Sequence, residues 1–171
     1  MGSSFELWHP SEGQESPYGP ADIAAATEIM QMLYPLYLRA LYLLNPSNQD
    51  EVYELSHVNE LGIPFISFTG TQRSLAEMRN AVEAVFTEHF RDNFFELLIF
   101  HPEWGFWAEV SGRMYFMDGS NPIPSNWWNW RNPNYPIRIS ELVPDQSFVA
   151  QVAGLTIHVV YEGGWRINWV H

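Results

Sequence analysis

The most constraining feature of the sequence is a strong helix signal that begins at Ser74. Ser74 and Glu77 stand three positions apart, as in a capping box, where the serine oxygen accepts a free backbone N–H and the glutamate reaches back. This pattern is followed by a period of three to four residues, which predicts a helix with one buried stripe that ends near Asp92-Asn93. The apolar residues of the stripe are Leu75, Met78, Val82, Val85, Phe86 and Phe90.

The segment after this helix predicts a β-hairpin. Residues 94–101 and 106–117 are rich in aromatic and β-branched side chains, which favour strands. Pro102-Glu103-Trp104-Gly105 separates the two runs, and a turn sequence in that place is typical of a hairpin. We therefore expect the rest of the chain to cover the helix and extend this sheet.

Two further helices are predicted before this region, after an arm of residues 1–19 that has little periodic pattern. The first helix begins at Pro20, and its apolar face is broad enough to require burial. Pro35 lies inside it and predicts a kink or a break, because proline cannot complete the helical hydrogen bond. A shorter helix is predicted from Ser47 to about Glu60, and a strand over 64–69.

The last third of the chain predicts a long loop and then a series of strands. Residues 119–136 hold four prolines and three tryptophans, a proline density that excludes a central strand. Strands are predicted at 137–142, 148–153, 155–161 and 165–170, with turns at Pro144-Asp145 and Glu162-Gly163-Gly164. The order of elements predicts one α+β domain over residues 20–171, with three helices on one face of a curved antiparallel sheet.

Composition narrows the classes of function. The 171-residue chain has a formal net charge of −12, which repels phosphate backbones and disfavours nucleic-acid binding. It contains no cysteine, which excludes thiolate chemistry, and its eight basic residues are all arginine, which excludes lysine-imine chemistry. No apolar run is long enough to span a bilayer and no signal-peptide pattern is present, so we expect a soluble cytoplasmic protein without membrane partners.

Three stretches are similar to the nuclear-transport-factor-2-like superfamily, which includes the SnoaL-like polyketide cyclases. Tyr37 to Leu55 resembles the first helix of the family leading into the second. Phe65-Ile66-Ser67-Phe68-Thr69-Gly70, with the helix that contains Glu77-Met78-Arg79, resembles its strand, glycine and third helix. Residues 159–171, with Gly164-Trp165-Arg166-Ile167-Asn168, resemble its closing hairpin. The Trp-rich insertion and Pro35 depart from the usual pattern.

This resemblance implies a cone-shaped fold, a pocket roofed by the helices, and a homodimer formed through the sheet. Members include cyclases, isomerases, dehydratases, epoxide hydrolases and non-catalytic binding domains, so the fold does not determine the function. The catalytic members use a few polar groups in an apolar cavity, where burial moves pKa values toward neutrality.

Strand alternation selects the first candidate residues. It places Glu109 and Arg113 on one face of residues 106–117, where they could line a pocket or form an ion pair on a solvated face. The same face is expected to carry Trp107, Ser111 and Tyr115, and the opposite face Phe106, Ala108 and Val110.

Four further residues are candidates for proton transfer. His158 and Asn168, on the last two strands, could be a general base and a carbonyl-polarising donor, or a paired His and Asn on the surface. His57 falls at the end of the predicted second helix, where the resemblance implies an acid or base, and it could act as a base with Tyr37 as a donor to a developing enolate or alkoxide. The alternative for Tyr37 is core packing with a satisfied hydroxyl.

The chain contains no convincing metal or cofactor motif. Glu88, His89 and Asp92 fall within one helical turn, but no zincin pattern is present, so a solvated helix face is the simpler interpretation. Phosphate loops, dinucleotide fingerprints and nucleophile elbows are absent from the sequence. We therefore expect neither a metal nor a cofactor.

A tryptophan cluster formed by Trp127, Trp128 and Trp130 is the last distinctive feature. It could be a lid, a carbohydrate platform, a protein-contact patch or a satellite core. Three tryptophans in four residues are costly to leave in water, so we expect them to be buried somewhere.

Two main hypotheses follow. The first is a cofactor-free acid–base enzyme (a cyclase, isomerase or dehydratase) acting on an apolar oxygenated molecule such as a polyketide or terpenoid. Its catalytic set would be Tyr37, His57, Glu109, His158 and Asn168, and its substrate-binding set Trp107, Arg113, Tyr115, Trp128 and Trp130. The second is a non-catalytic acidic inhibitor or immunity-type protein that uses its charge and the Trp-rich loop to bind a basic partner. A carbohydrate-binding module is a third, supported by Trp and Asn alone.

Overall fold

The fold is mixed α+β, with helices and antiparallel sheets, in a computed structural model that describes residues 19–46, 53–58, 64–68, 74–117, 122–127 and 135–171. The helices are α1 (Pro20–Leu44), α2 (Leu75–Glu83), α3 (Glu88–Phe90), a π-helix (Arg91–Ile99) that continues α3, and a 3₁₀-helix (Ser125–Trp127). The strands are β1 (Tyr53–Val58), β2 (Pro64–Phe68), β3 (Trp107–Val110), β4 (Arg113–Met117), β5 (Arg138–Val143), β6 (Ser147–Val152), β7 (Leu155–Tyr161) and β8 (Trp165–Val170).

Helix α1 runs without a break through Pro35. Proline inside a helix costs about 3 kcal/mol, but Pro35 lies on the exposed side, and burial of the opposite face offsets that cost. The buried residues of this face, each 0–4% exposed, are Ala26, Met30, Leu33, Tyr34, Tyr37, Ala40, Leu41 and Leu44. Of the kink or break expected at Pro35, the break therefore does not occur.

The predicted second helix is wrong over its described part. Residues 53–58 form strand β1, which pairs antiparallel with β2 from Tyr53 opposite Phe68 to Val58 opposite Pro64. A six-residue segment of mixed pattern is too short for its own period to decide between helix and strand, and pairing with β2 decides it. The prediction of strand β2 is confirmed, and the remainder of the predicted helix lies outside the described residues.

The predicted helix from Ser74 is confirmed at its start but is interrupted earlier than expected. The Ser74 side-chain oxygen accepts a hydrogen bond from the Glu77 N–H at 3.1 Å. After Glu83 the backbone leaves the helix and bonds to β8: the N–H of Ile167 donates to Val85 O at 2.7 Å, and the N–H of Thr87 donates to Ile167 O at 3.0 Å. Pairing with the sheet edge therefore splits the expected helix at residues 84–87.

The prediction of a strand over residues 94–101 is also wrong, because the π-helix occupies 91–99. Thr87 caps the new helix by accepting the Phe90 N–H at 3.2 Å. Phe90, Phe95 and Ile99 recur at helical spacing and are fully buried. The aromatic residues of this run pack a helix face, and they do not alternate between two sides of a strand.

The hairpin lies within residues 106–117, which had been predicted as one strand. β3 and β4 pair through a two-residue turn, Ser111-Gly112, whose φ angles are 53° and 78°. Positive φ at both positions matches a type I′ turn, which suits the twist of a hairpin. Pro102-Glu103-Trp104-Gly105 instead connects the π-helix to β3, and the sheet has the order β1-β2-β4-β3.

Strands β5 to β8 form a second antiparallel sheet in sequence order, and here the predictions are confirmed to within one residue. α1 packs against β5 and β8. The register places a continuous apolar face toward the core: Phe148, Ala150, Val152, Leu155, Ile157, Val159, Ile167 and Val170. The eight described strands thus form two four-stranded sheets, where one curved sheet had been expected. None of the described helices has the length and apolar character needed to cross a bilayer.

Candidate functional site

Tyr37 lies in the centre of the core. Its side chain is 0% exposed, its ring packs beside Tyr34 and Phe86, and its hydroxyl donates a hydrogen bond to the Trp127 carbonyl oxygen at 2.5 Å. Burial raises the pKa of this phenol, and the nearby Tyr34 raises it further. Its hydroxyl is therefore neutral and already engaged with the backbone.

Trp127 confirms the expectation of burial for one member of the tryptophan cluster. Its side chain is 6% exposed, and its ring centroid lies 5.9 Å from that of Phe90 and 5.0 Å from that of Phe94. Trp128 and Trp130 lie outside the described residues, so the lid, platform and contact-patch interpretations stay predictions for them.

The two faces expected for residues 106–117 are wrong. Trp107 pairs opposite Phe116 and Glu109 opposite Met114, so these four share one face. Because the turn has two residues, Arg113 pairs with Val110 and Tyr115 with Ala108. Paired residues share a face, so Arg113 and Tyr115 lie on the face of Ala108 and Val110. Glu109 and Arg113 therefore do not share a face.

Trp107 and Glu109 each have a defined partner. Trp107 is 1% exposed, and its indole N–H donates to Leu44 O at 2.8 Å, which attaches the hairpin to the end of α1. The exposed Glu109 carboxylate accepts the Leu75 N–H at 3.3 Å, at the N-terminus of α2. Both contacts hold elements together, and Trp107 belongs to the core.

His57 lies in strand β1, opposite Phe65. The predicted second helix had placed it at a helix end, and that placement is wrong because residues 53–58 pair with β2. The side chains of β1 and β2 lie outside the described part of the structure, so the proposed role of His57 stays a prediction.

Asn168 connects strand β8 to the N-terminus of α3. Its Oδ1 accepts a hydrogen bond from the Thr87 hydroxyl at 2.8 Å, and Thr87 is 1% exposed. A register shift between β7 and β8 places Asn168 in a bulge, since Val159 pairs with Ile167 and His158 with Trp169. Asn168 had been expected to donate a hydrogen bond to a substrate carbonyl; instead its amide oxygen orients the cap of α3.

His158 and His171 form a pair on the face of the second sheet that points away from α1. Their Nε2 atoms lie 2.9 Å apart, and their rings are stacked at 23°. Burial lowers the pKa of His158, the neighbouring His171 lowers it further, and the Glu141 carboxylate opposes both effects. His158 therefore loses its proton more readily than an ordinary histidine.

The described candidates occupy separate places. Tyr37 is in the core, Glu109 is at the hairpin and Asn168 is at the bulge, while His158 is on the outer face. Among the residues that the structure describes, no hydrogen bond joins any two of them. The face of β6–β8 that points to the core carries only apolar side chains. These strands therefore contribute no polar group to the region between the sheet and α1.

An open groove that the sequence interpretation missed lies along α2 and the π-helix. Its volume is about 340 Å³, and its lining residues are Arg79, Val82, Glu83, Glu88, Arg91, Asp92, Glu96 and Phe100. Four carboxylates and two guanidinium groups make it net negative. Of its acidic residues, only Glu88 and Asp92 had been considered from the sequence, and together with His89 they had been interpreted as part of a solvated helix face.

One ion pair occupies part of this acidic groove. Arg79 donates two hydrogen bonds to Glu96, at 2.9 and 3.0 Å, and its guanidinium carbon lies 5.0 Å from the Phe100 ring centroid. Within the described residues, no hydrogen bond or ion pair engages the carboxylates of Glu83, Glu88 or Asp92. Three acidic groups of the groove thus remain available to a partner.

The described residues contain no cluster of three or more His, Asp or Glu side chains placed to hold a metal. In the helical turn that holds Glu88, His89 and Asp92, His89 Nδ1 lies 3.2 Å from the Asn93 side-chain nitrogen. A comparison with protein-family models and with curated proteins found no match to this chain.

Proposed function

We propose that this protein is a non-catalytic binding protein whose acidic groove receives a basic segment of a partner protein. The observation that carries the proposal is the presence of three unengaged carboxylates in one open groove. A net charge of −12 would steer such a partner toward the protein and accelerate association.

The internal ion pair indicates how a partner's arginine would be held. The Arg79 guanidinium meets a carboxylate through two bonds while it lies over an aromatic ring, and both contacts are favourable for arginine. An incoming arginine or lysine would place its charge near Glu83 and Asp92. Exposed contacts of this kind are weak singly, so several basic residues would engage together.

The test is binding of an arginine-rich peptide, measured by calorimetry at low and physiological salt. The Glu83→Gln/Asp92→Asn variant removes two groove charges, and Glu28→Gln/Asp145→Asn removes two exposed charges elsewhere. We expect about tenfold weaker binding for the groove variant, from about 1.4 kcal/mol of lost interaction, and little change for the control. Equal losses in both variants would mean that only overall charge matters, and would contradict the proposal.

A second candidate is the cofactor-free acid–base enzyme on a nuclear-transport-factor-2-like cone, acting as a cytoplasmic homodimer on a polyketide-like or terpenoid-like small molecule. It is favoured by one observation: a long first helix packs over a closing antiparallel meander whose last hairpin carries Gly164-Trp165-Arg166-Ile167-Asn168. Because β6–β8 present only apolar groups inward, its polar groups would come from other segments, with His57 as the remaining base.

Ligand-induced thermal stabilisation distinguishes this candidate from the first. A panel of apolar oxygenated compounds is screened against the wild type and His57→Gln, with His89→Gln as a control for loss of an exposed histidine. An enzyme would show a stabilising ligand that is turned over by the wild type and bound without turnover by His57→Gln. Absence of any stabilising compound, together with groove-dependent peptide binding, would favour the first proposal.

A further inference from the structure

The outer face of the second sheet carries a histidine pair that neither proposed function uses. We infer that His158 and His171 form a two-ligand site for a divalent transition-metal ion of the copper(II) or nickel(II) type. Water would complete the coordination shell. This site is independent of the acidic groove and of any catalytic role.

Backbone pairing brings the two histidines next to each other. Thr156 and His171 exchange two backbone hydrogen bonds, N–H to O at 2.7 Å and 2.9 Å. Because side chains two positions apart on one strand share a face, His158 and His171 are diagonal neighbours across the strand pair. The site is therefore built from paired strands, and only side-chain rotation is needed to admit an ion.

The distance between the nitrogens agrees with chelation at a right angle. Imidazole nitrogens bind first-row ions at about 2.0–2.1 Å, so two of them bound at a right angle lie about 2.9 Å apart, and at a tetrahedral angle about 3.3 Å apart. The Nε2 atoms of His158 and His171 are 2.9 Å apart. Right angles between ligands are typical of tetragonal copper(II) and nickel(II).

The chemistry of the pair agrees with this geometry. Neutral imidazole is a preferred ligand of these ions. In the hydrogen-bonded pair one Nε2 carries a hydrogen and the other accepts it; with a metal bound, that hydrogen moves to Nδ1 of the same ring. Two neutral rings thus bind an ion without net loss of a proton. The Glu141 carboxylate, close enough to influence His158, adds a negative field that favours a cation.

A fluorescent reporter lies beside the pair. Trp169 pairs opposite His158 across β7 and β8, and its side chain is 46% exposed. Paramagnetic copper(II) and nickel(II) quench nearby indole emission, so occupancy of the site should reduce Trp169 fluorescence. The Trp169→Phe variant should lose this part of the quenching.

The experiment is a calorimetric titration of the full chain with copper(II) and, separately, nickel(II) at pH 7.4 in a non-coordinating buffer. We expect one ion per chain, with affinity at least about tenfold weaker in both His158→Gln and His171→Gln, because each variant loses the second, intramolecular ligand. His89→Gln, which removes an exposed histidine elsewhere, should match the wild type. Copper(II) EPR should report two equatorial nitrogens in the wild type and one in either variant.

The outcomes that would overturn the inference are equally specific. Binding that is unchanged in both pair variants, or weakened equally by His89→Gln, would place the ion elsewhere. An EPR spectrum with one nitrogen in the wild type would mean that the pair does not chelate. If His158→Gln does not fold, His171→Gln still tests the inference, because His171 is exposed and follows the last strand.

Discussion

The Tyr37 hydroxyl donates a hydrogen bond to the carbonyl oxygen of Trp127, a residue 90 positions further along the chain. This bond joins the middle of α1 to the 3₁₀-helix of the Trp-rich segment, inside a set of aromatic rings. A phenol that had been a candidate proton donor is therefore a link between two distant parts of the core.

The substitution Tyr37→Phe should destabilise the protein by about 1–2 kcal/mol, because it leaves a buried carbonyl without its donor. Urea unfolding followed by circular dichroism measures the change. Tyr161→Phe is the control: Tyr161 is 57% exposed, and phenylalanine would keep the ring contact with Trp165. An equal effect of the two substitutions would contradict a special role for the Tyr37 bond.

Stability should fall in alkaline solution. Burial raises the pKa of Tyr34 and of Tyr37 above the ordinary value. Above about pH 10 the unfolded chain releases phenolic protons that the folded chain retains, so the folded state binds more protons and its stability decreases as pH rises. The free energy of unfolding measured between pH 9 and 11.5 should decline less steeply in Tyr37→Phe, by at most about 1.4 kcal/mol per pH unit. Parallel curves would contradict this assignment.

A second pH effect is expected in mild acid. Burial lowers the pKa of His158 below its ordinary value, so below about pH 6.5 the unfolded state takes up a proton more readily than the folded state. Its contribution to stability is present above that pH and is lost as pH falls. Melting temperatures measured from pH 7.5 to 5 should fall less in His158→Gln than in the wild type. The same fall in His158→Gln as in the wild type would assign the effect to other groups.

Two glycines should respond differently to alanine. Gly154 has a φ of +82°, and a Cβ there would meet nothing within 4 Å, so Gly154→Ala should cost only the conformational strain of about 1 kcal/mol. At Gly105 a Cβ would lie 2.5 Å from the backbone N and O of His101, so the chain itself must move. Urea unfolding should therefore find Gly105→Ala the more destabilising. The reverse order would mean that the turn after the π-helix relaxes easily.

Local signals predicted part of this fold correctly. The start of α2 follows from Ser74, whose cap needs only the next three residues. Strands β5–β8 follow from alternating residues and from the turns at Pro144-Asp145 and Glu162-Gly163-Gly164. Such elements form from neighbours in sequence, so the information they need lies within a short window.

Predictions failed where pairing with another segment, or the position of a turn, decided the outcome. Residues 53–58 became a strand because β2 pairs with them, and the helix from Ser74 was interrupted because Ile167 bonds to Val85 and Thr87. The two-residue turn at Ser111-Gly112 placed Glu109 and Arg113 on opposite faces of the hairpin, where one shared face had been predicted. One misplaced turn thus changed which side chains share a face of the β3–β4 hairpin.

The sequence by itself determined the mixed α+β class, the acidic charge and the closing meander, because these depend on composition and on short-range periodicity. Only the tertiary structure decided which polar side chains meet. It buried Tyr37 and Trp107 and separated Glu109 from His158; it placed His158 against His171 and gathered the acidic groove along α2 and the π-helix. The physical reason is that an aromatic or charged side chain has the same local pattern in a core, a site or a surface. Its role is settled by the burial and partners that long-range packing provides.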